Sequence, residues 1–146
     1  MRPRSPASTV LTVVAYIIVT FGVQGFSHFV LNADHYAGIS IMRTEPIIPL
    51  GLGSMVIQGL IFAWLFPTFN HGAHSIRNAV VFSCAIGGFL ASYIVLAEAG
   101  KYSIPSIGSW IAVEGSAALV QFLLFGVFLG LIHRNNTALE PAYERA

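Results

Sequence analysis

Residues 107–132 read IGSWIAVEGSAALVQFLLFGVFLGLI, and this stretch decides the fold class. Glu114 is its only charged residue. A helix needs about 20 apolar residues to cross a hydrocarbon layer of about 30 Å. A transmembrane β-strand would instead alternate polar and apolar positions over about 10 residues. The run ALVQFLLFGVFLGLI does not alternate, so a barrel is rejected. Three more stretches share its character: residues 8–29, 47–66 and 78–99. The expected fold is an all-α integral membrane four-helix bundle, a single transmembrane domain over residues 1–146.

Composition agrees. The chain has 146 residues, 55% hydrophobic and 9% charged, and its mean hydropathy is +0.75. Soluble domains carry about 25% charged residues. A soluble globule this short lacks the volume to hide so much apolar surface. The net charge of +1 supplies no field for a polyanion, which excludes nucleic acid as a partner. One cysteine, Cys84, excludes an internal disulfide and a multi-cysteine metal site. The expected partner is the lipid bilayer itself, with a larger membrane complex as a second candidate.

Proline and charge set boundaries and direction. Pro46 and Pro49 flank the start of the second span, and Pro67 is expected to end it. Arg2, Arg4, Arg77, Arg134 and Arg145 share one side if there are four spans, against Arg43 and Lys101 on the other. The excess of Lys and Arg marks the cytoplasmic side. Both termini are therefore expected in the cytoplasm. The first apolar run is longer than a signal-peptide core and lacks a small-x-small cleavage site, so it reads as an uncleaved helix. The mixed apolar loop at residues 32–46 is expected to cap the bundle or lie on the bilayer as a short helix or ordered turn.

The second and fourth spans also match at a constant offset. Ile48-Pro49 corresponds to Ile104-Pro105, Gln58-Gly59 to Glu114-Gly115, and Phe66 to Phe122. This weak repeat suggests two tandem helical hairpins. Gly126 and Gly130 form a small-xxx-small pair, and Gly87-Gly88 thins the third span; both suit close helix approach.

The most informative feature is polar. Ionisable groups inside spans are costly and face a bundle interior or water. Gln24, His28, Gln58, Glu114 and Gln121 fall in or near the outer half of the membrane and are the candidate ligand-binding set. Glu114 and Gln121 lie about 20° apart on a helical wheel, and Trp110 is close to their face. Gln24, His28, Asn32 and His35 fall within about 80° if the first helix continues past the membrane. The alternative role for these groups is interhelical hydrogen bonding. Glu114 is expected to face inward, towards Gln58 and the polar side of the first helix, and to be protonated near neutral pH, since no Lys or Arg lies at its depth; a Lys101 that snorkels down or His28 is the alternative partner that would favour the charged form. Glu98 and Lys101 are spaced for an ion pair. His28, Glu98 and Glu114 are the candidates if the chain is an enzyme. His71, His74 and His133 form a weak metal candidate, as do His28 and His35 with Asp34. Only His28 is deep enough for haem, so no haem is expected. No nucleotide loop, zinc-protease helix or nucleophile elbow occurs.

At EPIIPLGLGSMVIQG (45–59), LAEA (96–99) and Glu114-Gly115, the chain resembles a group of small uncharacterised bacterial inner-membrane proteins with four helices. The resemblance implies that topology and a bacterial inner-membrane location, and no activity. Three function classes stay open. The first is an accessory subunit, or a small binder or carrier of a hydrophobic or protonatable ligand. The second is a membrane-embedded enzyme acting on lipid or quinone from the outer face. The third is a small transporter. The sequence itself names no cofactor.

Overall fold

The computed structural model describes residues 5–41, 43, 45–70 and 75–134. The described residues are mostly helical, with no strand among them. Helix α1 (Pro6–Phe26) is prolonged by a wider turn at Ser27–Leu31. A short helix α2 (Ala33–Ala37) follows, then α3 (Ile48–Phe69). Helix α4 (Ile76–Ala91) runs through a second wide turn, Ser92–Ala97, into α5 (Glu98–Lys101), and α6 (Ile107–Arg134) completes the chain. Pro6–Leu31, Ile48–Phe69, Ile76–Lys101 and Ile107–Arg134 are each long and apolar enough to cross a membrane. They fit a multi-pass membrane protein.

Local chemistry explains the boundaries. Pro6 follows Ser5 and opens α1, where a missing N–H costs nothing. Ser75 caps α4 by accepting the Asn78 N–H at 3.1 Å. Pro67 does not end α3 as expected; the helix continues to Phe69. In the last turn, proline removes a single backbone bond, and the ridge of Phe62 and Phe66 buried just before it holds the turn in place.

Two hairpins form, α1 with α3 and α4 with α6, and they join through α1 and α6. Glycine sets the spacing. A β-carbon at Gly59 would lie 2.9 Å from Val13 Cα on α1, and one at Gly126 would lie 2.6 Å from Val80 Cα on α4. Gly130 meets Ile76 in the same way, and Gly87 lies under the Phe122 ring. The small-xxx-small pair is thus used inside the chain. Gly115, the repeat counterpart of Gly59, faces open space. The main core gathers Tyr16, Val19, Phe62, Phe66, Ala79, Phe122, Phe125 and Leu129. A second core at the loop end holds Tyr36, Ile39, Ala99 and Trp110.

That second core seats the loop. Tyr36 and Ile39 are buried against the ends of α5 and α6, so the segment after α1 caps the bundle as expected. Met42 and Thr44 of this loop lie outside the described residues. In contrast, α3 and α4 barely touch. Phe82 of α4 packs its ring against Phe62 and Phe66, near the end of the bundle where α3 finishes. Towards the loop end the two helices diverge and leave a cleft between them.

Candidate functional site

The cleft measures about 240 Å³. One wall is α3, with Gly51, Ser54, Met55 and Gln58; the other is Leu90, Ala91, Ile94 and Val95. Its floor is α1 and α6, which contribute Thr20, Gln24, Glu114, Ala118, Gln121 and Phe122. Four of the five sequence-selected binding residues therefore meet here: Gln24, Gln58, Glu114 and Gln121. The helices α3 and α4, which barely touch, form its two sides.

The amides are held in a directed chain. The Tyr16 hydroxyl donates to Gln58 Oε1 at 2.5 Å, and Gln58 Nε2 donates to Ser54 Oγ at 3.0 Å. Gln121 Nε2 donates to Thr20 Oγ1 at 3.0 Å and to the Tyr16 oxygen at 3.3 Å. Gln24 Nε2 donates to Gln121 Oε1 at 2.8 Å. This chain ties α1, α3 and α6 together inside the membrane, where an unmade hydrogen bond is expensive. Interhelical bonding is thus the first role of all three glutamines.

Glu114 is 7% exposed and faces inward, as expected, but its partner differs. The Tyr36 hydroxyl, reaching over from α2, donates to Glu114 Oε1 at 2.6 Å. No bond joins Glu114 to Gln58, because Tyr16 already occupies Gln58. Among the described residues no cation pairs with Glu114, and Oε2 receives no hydrogen bond. Burial, and then the adjacent Glu114, push the Tyr36 phenol well above its usual range.

His28 sits one ring behind this pair. Its imidazole stacks on Tyr36 with centroids 3.8 Å apart and planes 12° apart. Nδ1 lies 2.9 Å from Gln24 O, so the proton on Nδ1 points at that carbonyl. His28 does not line the cleft; it buttresses the residue that bonds Glu114. The wide turn at Ser27–Leu31 causes this placement. Asn32 N–H bonds Ser27 O, five residues back, at 2.9 Å, which shifts the phase of every later side chain. The expected continuous stripe of Gln24, His28, Asn32 and His35 is therefore broken. Asn32 turns back to Ser27 Oγ at 3.0 Å, and His35 meets Ser109 Oγ at 3.2 Å with its buried Nε2 unpartnered. The second wide turn, Ser92–Ala97, presents Ile94 O to the Trp110 indole N–H at 3.4 Å, tying the cleft wall to α6.

The remaining candidates lie elsewhere. Glu98 is on α5, is not part of the cleft, and makes no ion pair with Lys101. Lys101 instead places its Nζ 5.5 Å from the Tyr102 ring centroid. His133 is buried at the opposite end of the bundle, with Nε2 3.2 Å from Thr12 Oγ1 and its ring edge-on to Phe66. His71 and His74 lie outside the described residues. Among the described residues no group of three metal-ligating side chains forms.

Tyr16, Thr20, Ser54 and Tyr36 were not selected from the sequence, and they complete the site. A signal for them exists. Ser8, Thr12, Tyr16, Thr20, Gln24 and His28 recur at every fourth position, one ridge of a helix surface. Comparison of the chain with protein-family profiles, with curated proteins and with solved structures finds no match.

Proposed function

We propose that this protein binds a lipid-soluble small molecule whose polar head enters sideways between α3 and α4. The cleft carries this reading: it lies between two helices long and apolar enough to cross a membrane, its walls are mostly apolar, and its hydrogen-bonding groups gather on the floor and at Gln58 and Ser54. Apolar walls with a few convergent polar groups are the usual form of a small-molecule site. Its volume is a little below the ~300 Å³ at which drug-sized sites begin, so it suits a compact head whose tail remains among the lipids.

The setting follows the charge distribution. Arg77 and Arg134 sit at the end of the bundle where α4 starts and α6 finishes, and Arg43 and Lys101 sit at the other. With Arg2, Arg4 and Arg145 added by topology, this supports a bacterial inner-membrane protein with both termini cytoplasmic and the cleft in the outer half. Membership of the small bacterial four-helix group that the sequence resembles belongs to the same reading.

The test is extraction in mild detergent followed by mass spectrometry of the retained small molecules. The control variant is Gly51→Leu, because Gly51 lines the cleft and a β-carbon there meets nothing within 4 Å, so a larger side chain can be added without a clash at its base. A compound retained by the native protein and lost from Gly51→Leu supports binding. Identical contents in both overturn it. Stoichiometric recovery of a larger complex, with no small molecule, assigns the accessory-subunit role instead.

A further inference from the structure

We infer that the molecule taken up by the cleft is a lipophilic cation of the alkylammonium class, with Glu114 as its counter-charge; this rests on the binding reading above. Among the described residues, Glu114 is the only ionisable side chain in the cleft lining, and no Lys, Arg or His stands there. An anionic head, such as a phosphate diester, would meet a carboxyl and no positive charge, so that class is excluded.

The free hydrogen-bonding capacity points the same way. Tyr36 engages Oε1 of Glu114 and leaves Oε2 without a bond. Gln24 spends one N–H on Gln121, and its own Oε1 accepts nothing. Gln58 and Gln121 use both their oxygens and their nitrogens within the chain of amides. Glu114 Oε2 and Gln24 Oε1 are unused acceptors at the floor, beside one spare N–H on each of Gln24 and Gln58, and an ammonium group, which offers only donors, meets the acceptors. Leu90, Ile94, Val95 and Met55 provide apolar wall for an alkyl chain.

A carboxylate buried without a cation is strongly disfavoured in hydrocarbon. A ligand that brings the cation removes that penalty, while a neutral ligand of the same shape does not. Tyr36 holds the carboxyl in place and brings no positive charge of its own, so the place of a counter-ion is not already taken.

The probes are dodecylamine, protonated near neutral pH, and 1-dodecanol, with the same chain and an uncharged head. Each is titrated against the purified protein in mild detergent, and bound adducts are counted by native mass spectrometry. Dodecylamine is expected to bind at least about tenfold more tightly than dodecanol. Glu114→Gln is expected to remove that preference by bringing dodecylamine binding down to the level of dodecanol. Glutamine keeps an oxygen for Tyr36, and circular dichroism with gel filtration checks the fold. Glu114→Asp retains the charge and is expected to retain the preference, which keeps the test decisive if Glu114→Gln misfolds. Equal binding of amine and alcohol, both lost in Gly51→Leu, overturns the cation while the cleft stands. Amine binding that survives Glu114→Gln also overturns it. Binding of neither probe, or no effect of Gly51→Leu on either, overturns the cleft itself.

Discussion

Replacing Gly126 with alanine should separate α4 from α6. A β-carbon at that position would lie 2.6 Å from Val80 Cα and 3.1 Å from Ser83 Cβ. Carbon atoms pack at about 3.5–4.0 Å, so the helices must move apart by about 1 Å. The first obstacle is backbone, which cannot rotate aside as a side chain does. A gap of that size forfeits a quarter to a half of each contact along the interface. It also stretches the Ser83 Oγ bond to Phe122 O, now 2.8 Å. Overpacking of this kind costs about 1–3 kcal/mol. Alanine regains up to about 1 kcal/mol of helix propensity, which blurs a comparison with the native protein alone. Gly115 on the same helix supplies the control, because a β-carbon there meets nothing within 4 Å. The propensity gain is common to both variants and cancels. Gly126→Ala should therefore be less stable than Gly115→Ala by about 1–3 kcal/mol. The assay is reversible unfolding in mixed micelles of dodecylmaltoside and dodecyl sulfate, followed by circular dichroism. Equal stability of the two variants would refute the close approach of α4 and α6.

Three further outcomes are expected. Tyr16→Phe leaves Gln58 Oε1 without its donor and should destabilise the fold by about 1–3 kcal/mol, while adding Gln58→Leu should recover part of the loss; the same mixed-micelle titration reads both. Tyr36→Phe keeps the ring stacked on His28 but removes the bond to Glu114, so amide exchange over residues 33–39 should accelerate about tenfold by mass spectrometry. Raising the pH should act on the same residue. The Tyr36 phenol is raised in the folded protein, so its contribution is complete below about pH 10, where a free tyrosine ionises, and is lost as pH rises beyond it. Ultraviolet titration of native protein against Tyr36→Phe should show one tyrosine that resists ionisation until the cap is released.

The spans were legible because hydropathy is a sum over about 20 residues and tolerates errors at any one of them. Glu114 and the three glutamines stood out because polar side chains that cost free energy in hydrocarbon need a reason to be there. Their partners were harder to see. Thr12, Tyr16 and Thr20 sit near the middle of hydropathy scales and read as ordinary helix filling, although they bond His133, Gln58 and Gln121. Tyr36 was hidden for a different reason. It reaches Glu114 only because the Ser27–Leu31 turn is wider than an α-turn and because α2 folds back over the bundle. A helical wheel drawn at 100° per residue cannot register either event. The lateral cleft was likewise out of reach, since it depends on how far α3 and α4 diverge beyond Phe82.

The hydrogen bonds also separate two kinds of buried polar group. Gln58 and Gln121 spend both ends of their amides on Tyr16, Thr20, Ser54 and Gln24, so bundle assembly alone accounts for their presence. Hydrophobic side chains of similar shape could replace that set together at small cost, because removing both partners leaves nothing unsatisfied. Glu114 does not fit this account. Tyr36 serves one oxygen, and a glutamine at position 114 would serve Tyr36 equally well without bringing a charge into the membrane. A carboxyl is the more expensive choice at that depth, and the cap, the Tyr36 bond and the His28 stack are arranged to hold it facing the cleft. If the carboxyl were only glue, Glu114→Gln should equal or exceed the native protein in stability and leave every binding property intact. If it serves the ligand, the same substitution should stabilise the empty protein and weaken the loaded one, and that opposition of signs is what structural bonding alone cannot produce.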